Sequence, residues 1–546
     1  MVDIDLLLKH ALSRRELIAA LLGAPALLPG CSSQPRLPPA GELIGQSFAI
    51  GHRLRDGFRP QPAADRWQDA GIVIVGGGVA GLSAAWRLLQ LGCEDFVVLE
   101  LEHAAGGTSQ SGECQLSAYP WGAHYLPVPF AENKQLIQLL REMGVVESIA
   151  ADGSPIVREQ YLCRDPDERL FFQGEWIEGL YPTTDATAED LAQLAAFRKE
   201  VEKWVQWRDS QGRRAFAIPT SLASVEAVPM ELDRLSMADW LRQHGWSSPR
   251  LHWLVDYSCR DDYGLSAELT SAWAGILYFA ARQSTAGSES QPLMTWPEGN
   301  GRIVNYLSQQ IGTRLKTGAA VTQIMPSEQS DGKVEVVWLN TRTEDVSGFK
   351  ANHVIFAAPQ FLAPKLIDGF ERRGHRRINE FEYGSWLVAN LHLRDRPHER
   401  AFPLSWDNVI HGSRSLGYVV ATHQSGRDHG PTVLTWYYPY LDTGTSSIRQ
   451  RLLAATWSDL ADVVLTDLEQ AHPEIRSLTT RLDIFRWGHA MIEPKPGFMA
   501  SRQRRAAALP DGRIHFANTD LSGIALFEEA FDHGCRAANE VMASAN

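Results

Sequence analysis

Clustered cysteines and an excess of positive charge are both lacking in this 546-residue chain. Its six cysteines include no Cys-x-x-Cys pair and no other spacing typical of zinc ligands, which argues against a structural metal site. The net charge of -13 argues against binding to nucleic acid. No internal repeat or low-complexity tract is evident, and the length favours two or more globular domains.

Long hydrophobic runs are lacking as well. The apolar run at residues 17–28 is too short to cross a bilayer, but it follows the pair Arg14-Arg15 and suits an export signal. It ends in Leu-Pro-Gly-Cys, which resembles a lipoprotein cleavage box with Cys31 as the lipidated residue. We therefore predict a twin-arginine signal over residues 1–31 and a periplasmic or membrane-anchored protein facing the periplasm. A short amphipathic helix is the alternative.

The pattern changes sharply at residue 71. Ile72-Val73-Ile74-Val75 is a continuous apolar run typical of a buried parallel strand, and helical spacing and a second strand follow. Gly76, Gly78 and Gly81 stand between strand and helix in the order G-x-G-x-x-G, with Ala80 beside the last. Such glycines allow a tight turn, close approach to a pyrophosphate and close helix–strand packing. Glu100 ends the second strand, where a carboxylate can accept hydrogen bonds from ribose hydroxyls and would repel a 2′-phosphate.

The residues after Glu100 distinguish between cofactors. Five residues separate Glu100 from the pair Gly106-Gly107, and three more residues separate Gly107 from Ser111. This spacing resembles the extended FAD motif of the flavin-containing amine oxidase superfamily, which includes monoamine and polyamine oxidases, protoporphyrinogen oxidase and phytoene desaturases. The resemblance implies noncovalently bound FAD, since no cysteine lies in an evident flavin-linking motif.

Further segments resemble the same family. Gly122, Ala123 and His124 belong to a segment that resembles the one lying along the flavin ring. Val321 matches the valine that contacts adenine, and Asp520 matches the terminal acid that binds the ribityl chain. The family usually has Gly before that acid, whereas this chain has Asn518 and Thr519. The register of this last motif is therefore open.

These resemblances predict an α/β fold with a Rossmann-like FAD-binding domain assembled from discontinuous segments. An α+β substrate domain, consisting of a mixed sheet plus a helical insertion, would lie between them. A lead-in at residues 32–69 follows the signal. The predicted FAD-binding segments are 70–130, 294–375 and 501–546, and the substrate-domain segments are 131–293, mainly helical, and 376–500.

Aromatic residues are the first candidates for the catalytic site. Trp436 and Tyr438 alternate on a probable strand and would share one face. Trp487 follows an arginine in a segment that resembles the family's arginine-tryptophan segment, and His124 is a candidate beside the flavin ring. For Trp436, Tyr438 and Trp487, packing in an aromatic core is the alternative. For His124, the alternative is a structural histidine with its hydrogen bonds satisfied.

One departure from the family concerns oxygen. Monoamine oxidase-like enzymes commonly place a lysine on the strand that faces flavin N5, and the matching strand in this chain, residues 385–392, has none. Asn390 is the expected polar substitute. The acceptor is therefore open between oxygen, a quinone and a periplasmic carrier.

The resemblance implies an FAD-dependent oxidoreductase that oxidises a small amine, with a polyamine as one form, by hydride transfer to flavin N5. A desaturase or protoporphyrinogen oxidase-type enzyme is the rival, and a flavin-binding partner or maturation protein without catalysis is a third interpretation. A desaturase needs a long apolar tunnel, whereas an amine site needs a compact aromatic pocket with acidic groups nearby.

Overall fold

A computed structural model describes residues 39–285, 287–327, 332–373, 376–441 and 445–544. The predicted signal and Cys31 lie outside the described residues. Ala40–Asn546 cluster as one unit. Within the described ranges, no helix combines the length and apolarity needed to cross a membrane.

The strands of the described residues are, in chain order, β1 Leu43–Gly45, β2 Trp67–Val75, β3 Phe96–Glu100, β4 Ser111–Glu113, β5 Ala118–Pro120, β6 Tyr125–Pro127, β7 Val146–Ile149, β8 Pro155–Val157, β9 Glu168–Phe172, β10 Glu175–Glu178, β11 Leu293–Thr295, β12 Leu315–Thr317, β13 Ala319–Met325, β14 Val334–Asn340, β15 Val346–Phe356, β16 Tyr383–Leu393, β17 Asp407–Ile410, β18 Tyr418–Val420, β19 Thr432–Pro439, β20 Thr479–Ile492 and β21 Ile514–Phe516.

The α-helices of the same residues are, in the same order, α1 Phe48–Arg55, α2 Val79–Gln90, α3 Lys134–Glu142, α4 Ala188–Gln206, α5 Ala227–Met230, α6 Met237–Gln243, α7 Pro249–Tyr263, α8 Ala272–Ala280, α9 Gly301–Ile311, α10 Ala363–Leu366, α11 Thr445–Ala454, α12 Trp457–Glu469, α13 Ile475–Leu478, α14 Arg502–Ala507 and α15 Phe527–Ser544.

The apolar run at residues 72–75 lies in the middle of a seven-stranded sheet. Its strand order is β12-β3-β2-β15-β14-β13, and β21 pairs with the second half of β15. β2 pairs in parallel with β3 and β15 along its two edges. The side chains of Val73 and Val75 pack in one core and those of Ile72 and Ile74 in another, so both faces of the run are covered and all four side chains are buried. This nucleotide-side sheet draws its strands from widely separated parts of the chain, as the discontinuous FAD-binding segments predict.

A second sheet of eight strands has the order β1-β20-β16-β19-β18-β17-β9-β10. Along β16, the side chains of Leu387, Ala389 and Leu391 pack in one core, and those of Trp386 and Val388 pack in another on the opposite face. This alternation of period two is the reason why one face can line a site while the other packs against α12. The mixed α/β fold agrees with the predicted class.

The segment at 131–293 is less helical than predicted. It holds α3 to α8, but β7 to β10 lie at its start, and β9 and β10 extend the eight-stranded sheet. Strands of three to five residues show too little alternation to be separated from loops by pattern alone. The pairing of β9 with β17, more than 200 residues later, is a tertiary interaction.

The tightest helix contact in the nucleotide half joins α15 to α2. A Cβ at Gly534 would lie 2.2 Å from the carbonyl oxygen of Ala80 and 2.9 Å from the backbone nitrogen of Ala84. Because backbone atoms cannot rotate aside, the helices can approach this closely only where the side chain is a hydrogen atom.

We expect Gly534→Ala to lower the free energy of unfolding by about 1–3 kcal/mol, because the added methyl group must push the two helices apart. Thermal unfolding of the holoprotein measures this loss. Gly488→Ala is the matched control, since a Cβ at Gly488 would meet nothing within 4 Å. Equal melting temperatures for both variants would contradict the packing argument.

Candidate active site

Two glycine segments lie against each other where β2 and β3 end. Gly76 and Gly106 have φ values of +101° and +119°, which favour glycine, and the Gly106 N–H donates to the Gly77 carbonyl at 2.8 Å. A Cβ at Gly81 would lie 1.9 Å from the Gly76 carbonyl oxygen. Gly78 is the N-cap of α2, and a Cβ there would meet no atom within 4 Å. The backbone at Gly78 and the start of α2 are thus open to a ligand with phosphate groups.

Glu100 fixes this loop from the end of β3. One carboxylate oxygen accepts the Gly77 N–H at 2.6 Å, and the other accepts the Glu102 N–H at 2.8 Å. Burial raises the pKa of Glu100 to about 7 despite these two hydrogen bonds. Each oxygen keeps a second lone pair, and the residue lines a large cavity, so the carboxyl group can also receive hydroxyl donors of a ligand.

The cavity has a volume of about 840 Å³ and extends from the glycine loop to the eight-stranded sheet. Most of the residues predicted to bind the cofactor line it: Gly76, Gly78, Ala80, Glu100, Gly106, Gly107, Gly122, Ala123, His124, Val321 and Asp520.

Two of the predicted cofactor residues are outside the cavity wall. Gly81 faces the Gly76 carbonyl, so its missing side chain allows α2 to pack closely against the end of β2. Ser111 lies behind the wall, where a Cβ on Gly301 would come within 2.4 Å of its hydroxyl oxygen. The packing role expected of Gly81 is therefore found, whereas the direct cofactor contact predicted for Gly81 and Ser111 does not fit their places outside the cavity wall.

Asp520 is a buried acid in the middle of the cavity. Its Oδ2 accepts the Gln360 N–H and the Tyr383 hydroxyl, both at 2.7 Å. Burial raises the pKa of Asp520 to about 6. Asn518 accepts the Asp520 N–H at 3.1 Å and donates to the Ala357 carbonyl. These two hydrogen bonds fix the turn that carries Asp520.

The residues present fit FAD. The glycine loop and the start of α2 offer backbone N–H groups to a diphosphate, and Glu100 offers a carboxyl group to ribose hydroxyls. Asp520 stands further along the same cavity with one oxygen outside the two hydrogen bonds just described.

Aromatic rings form the wall near the eight-stranded sheet. His124 stacks on Tyr437 with ring centroids 4.6 Å apart, and the Tyr437 hydroxyl donates to the Gly122 carbonyl at 2.9 Å. Trp487 donates to the Trp121 carbonyl at 2.8 Å. His124, Tyr437 and Trp487 all line the cavity. Burial lowers the pKa of His124 to about 4, so the imidazole is neutral at pH 7.

Trp436 and Tyr438, predicted as catalytic, face the other side of the sheet. They stack on each other with centroids 5.3 Å apart, and the Trp436 indole N–H donates to Asp467 in α12 at 2.8 Å. The two do share a face, but it is the face that packs on the helices. Tyr437 between them points into the cavity.

Asn390, expected as the polar substitute for lysine, does not line the cavity. Its side chain donates to the Pro120 carbonyl at 3.0 Å and accepts from the Thr435 hydroxyl at 2.7 Å. It therefore ties β16 to β5 and β19. Trp386 and Val388, on the same face of β16, are the residues that line the cavity.

An acidic group of the cavity wall was missed by sequence reasoning. Asp261 and Asp262 end α7, Asp407 begins β17, and Arg282 follows α8; all four line the cavity. Arg282 pairs with both oxygens of Asp262 at 3.0 Å. No ion pair to Asp261 or Asp407 is found in the part of the chain that the structure describes.

The pKa values of this group reflect the excess of carboxyl groups over cations. Burial and the neighbouring Asp262 raise the pKa of Asp261 to about 7. Burial, Asp261 and Glu168 hold the pKa of Asp407 well above its usual range. Adjacent acids near the end of a helix were the available signal, but α7 and β17 are 144 residues apart in sequence.

We expect Glu100→Gln to weaken FAD binding by about 10- to 100-fold, since the amide would set a donor against one backbone N–H and lose the charge-assisted hydrogen bonds. Fluorescence titration of the apoprotein with FAD measures the affinity. Glu113→Gln changes an exposed residue of β4 in the same way and is the control. Unchanged flavin content in Glu100→Gln would contradict the role of this carboxyl group.

Solved structures share this fold at low sequence identity. Wild-type putrescine oxidase bound to putrescine superposes with a TM-score of 0.64 at 16% identity, over 87% of this chain and 100% of that one. Cyclohexylamine oxidase from Brevibacterium oxydans gives a TM-score of 0.59 at 16% identity, over 88% of this chain and 100% of that one.

A curated relative covers less of the chain. A Baeyer-Villiger monooxygenase from Streptomyces coelicolor is 22% identical over 285 residues, which are 47% of this chain and 53% of that protein. The chain thus spans about half of the length of this relative.

The sequence model of the family described as flavin containing amine oxidoreductase matches residues 79–542, which include Glu100, the aromatic wall and Asp520. The chain belongs to this family and is an FAD-dependent oxidoreductase.

Proposed function

We propose that this enzyme oxidises an amine, and that its substrate carries a second cationic group, as a diamine or polyamine does. The observation that carries the proposal is the pair Asp261 and Asp407 in the wall of a cavity that also has an aromatic side. The fold shared with putrescine oxidase agrees with it.

The acidic group has more carboxyl groups than cations. Arg282 compensates Asp262. Asp261 has only long-range attraction from Arg282 and Arg260, and Asp407 is opposed by the neighbouring acids Asp261 and Glu168. Burying like charges in this way costs free energy, and their raised pKa values express that cost. A substrate ammonium group between them would supply the missing positive charge, and it would favour their ionised forms.

The aromatic wall suits the other end of the substrate. When bound, FAD accepts a hydride equivalent from the carbon next to nitrogen, which requires the neutral amine. Neutral His124, Tyr437 and Trp487 surround this region without adding charge, so they can exclude water and favour loss of the proton from the reacting ammonium. The distal nitrogen, beside the carboxyl groups, keeps its proton.

The charged groups in the cavity wall also favour an amine substrate over the apolar substrate of a desaturase. A desaturase acting on an apolar chain would have to bury that chain against Asp261 and Asp407, whose carboxyl groups would remain desolvated without a cationic partner. A cationic substrate meets no such penalty.

We expect putrescine to bleach the visible flavin absorbance under anaerobic conditions, and butylamine, which lacks the second ammonium group, to do so only at much higher concentration. Asp261→Asn should raise the concentration needed for putrescine by about 10- to 100-fold and change the value for butylamine little, because one charge-assisted contact is lost. Anaerobic titration followed by absorbance measures both.

Asp428→Asn, which removes the same charge at an exposed site, is the control for net charge. No bleaching by any amine would overturn the amine function. Bleaching by putrescine and butylamine with equal affinity would overturn only the role of the second cation.

We propose further that oxygen is a poor electron acceptor. β16 contains no lysine, and neither Trp386 nor Val388 on its cavity face carries a charged group that could stand beside the cofactor. A quinone or a periplasmic carrier would then take the electrons.

Enzyme reduced by its substrate should therefore regain visible absorbance more slowly in air than with a water-soluble quinone. Stopped-flow absorbance with each acceptor at matched concentration compares the two rates. Reoxidation in air that equals or exceeds the quinone rate would exclude the dehydrogenase proposal.

A further inference from the structure

An N-terminal segment crosses from one sheet to the other over the cofactor cavity. Residues 40–58, the N-terminal strap, include β1, Ser47 and α1. The family match begins at residue 79, so the strap is an addition to the matched region. We propose that the strap is part of the cofactor site and holds the adenosine half of FAD in place.

The strap is fixed at its first end to the eight-stranded sheet. β1 runs parallel to β20 with Ile44 opposite Phe485, and the Leu482 N–H donates to the Ala40 carbonyl at 2.8 Å. Glu42 also pairs with Arg481 at 2.6 Å. This part covers a sheet edge, which by itself would be a sufficient structural role for β1.

The middle of the strap makes contacts that edge protection does not require. Both the N–H and the hydroxyl of Ser47 donate to the carboxylate of Glu102, each at 2.7 Å. The Glu102 N–H donates in turn to Glu100, and the Glu102 carbonyl accepts from the Gly318 N–H, both at 2.8 Å. Ser47 is thus tied to the turn between the ribose acid and the strand that carries Val321.

α1 then passes over the cavity and is fixed on the far side. Arg53 pairs with Glu344 between β14 and β15 at 2.9 Å, and Leu54 is buried. Seven residues of the strap line the cavity: Gln46, Ser47, Phe48, Gly51, His52, Leu54 and Arg55. Of these, Ser47 is bonded to Glu102, two residues after Glu100, and Leu101, Glu102 and Val321 line the same cavity.

The strap therefore adds polar and cationic groups to this part of the cavity and covers it from solvent. A bound cofactor must then leave past the strap, so the bond between Ser47 and Glu102 should control the rate of release. This inference concerns cofactor retention and does not depend on which substrate the enzyme oxidises.

The test is FAD release from the full-length holoprotein, followed by the rise in flavin fluorescence on dilution. Ser47→Ala and Glu102→Gln should each speed release by about tenfold, the double variant should be no faster than the faster single variant, and Ser47→Thr should retain the slow rate. Ser210→Ala is the matched control, because Ser210 also donates its N–H and hydroxyl to a glutamate, Glu226, away from the cavity.

Titration with ADP separates a binding role from a structural one. The affinity of the apoprotein for ADP should fall in Ser47→Ala by about the same factor as the affinity for FAD, while the melting temperature of the apoprotein stays close to that of Ser210→Ala. A lower melting temperature with unchanged FAD release and ADP affinity would show that the strap only stabilises the fold, and it would overturn the proposal.

Discussion

The cofactor side of this protein depends on one buried carboxyl group. Glu100 accepts the N–H groups of Gly77 and Glu102, and through them it sets the glycine loop and the chain that leaves β3. Removal from water would favour its protonated form, and only the two backbone donors oppose this. The carboxyl oxygens of Glu100 therefore both hold the loop and face the ligand. A substitution of Glu100 would change the loop geometry and the ligand affinity together.

The cavity exists because two sheets with different cores share a boundary. Segment 121–124 joins them: the Ala123 N–H donates to Thr108 beside the glycine loop, while Tyr437 and Trp487 of the eight-stranded sheet donate to Gly122 and Trp121. The backbone here is held from both sides. It lies along the cavity at the point where the cofactor half ends and the aromatic wall begins, which explains how substrate and cofactor can be placed against each other by rigid elements.

Local sequence signals predict the cofactor side of the cavity better than its aromatic and acidic walls. The stretch from residue 71 to residue 111 could be predicted because strand, glycines, helix and acid follow one another within some 40 residues, each with its own chemical reason. The direction in which Tyr437 points could not be predicted, because three consecutive aromatic residues are compatible with either orientation of the strand. Only the packing of Trp436 on α12 decides which orientation the strand adopts. Asp261 and Asp407 meet through tertiary structure alone, and the contacts of Asn390 with Pro120 and Thr435 are equally non-local.

The two ends of the substrate region make opposite demands on an amine, and the structure separates them. Near His124, Tyr437 and Trp487 the wall carries no charge at neutral pH, so a protonated amine there is penalised by desolvation. Near Asp261 and Asp407 the wall lacks a cation, so a protonated amine there is favoured. A molecule with one nitrogen satisfies only one of these regions. A molecule with two nitrogens satisfies both, and it also fixes which nitrogen loses its proton, because the carboxyl groups retain the distal ammonium while the aromatic rings disfavour the other. Orientation and activation of the substrate then follow from the same separation of charged and uncharged walls.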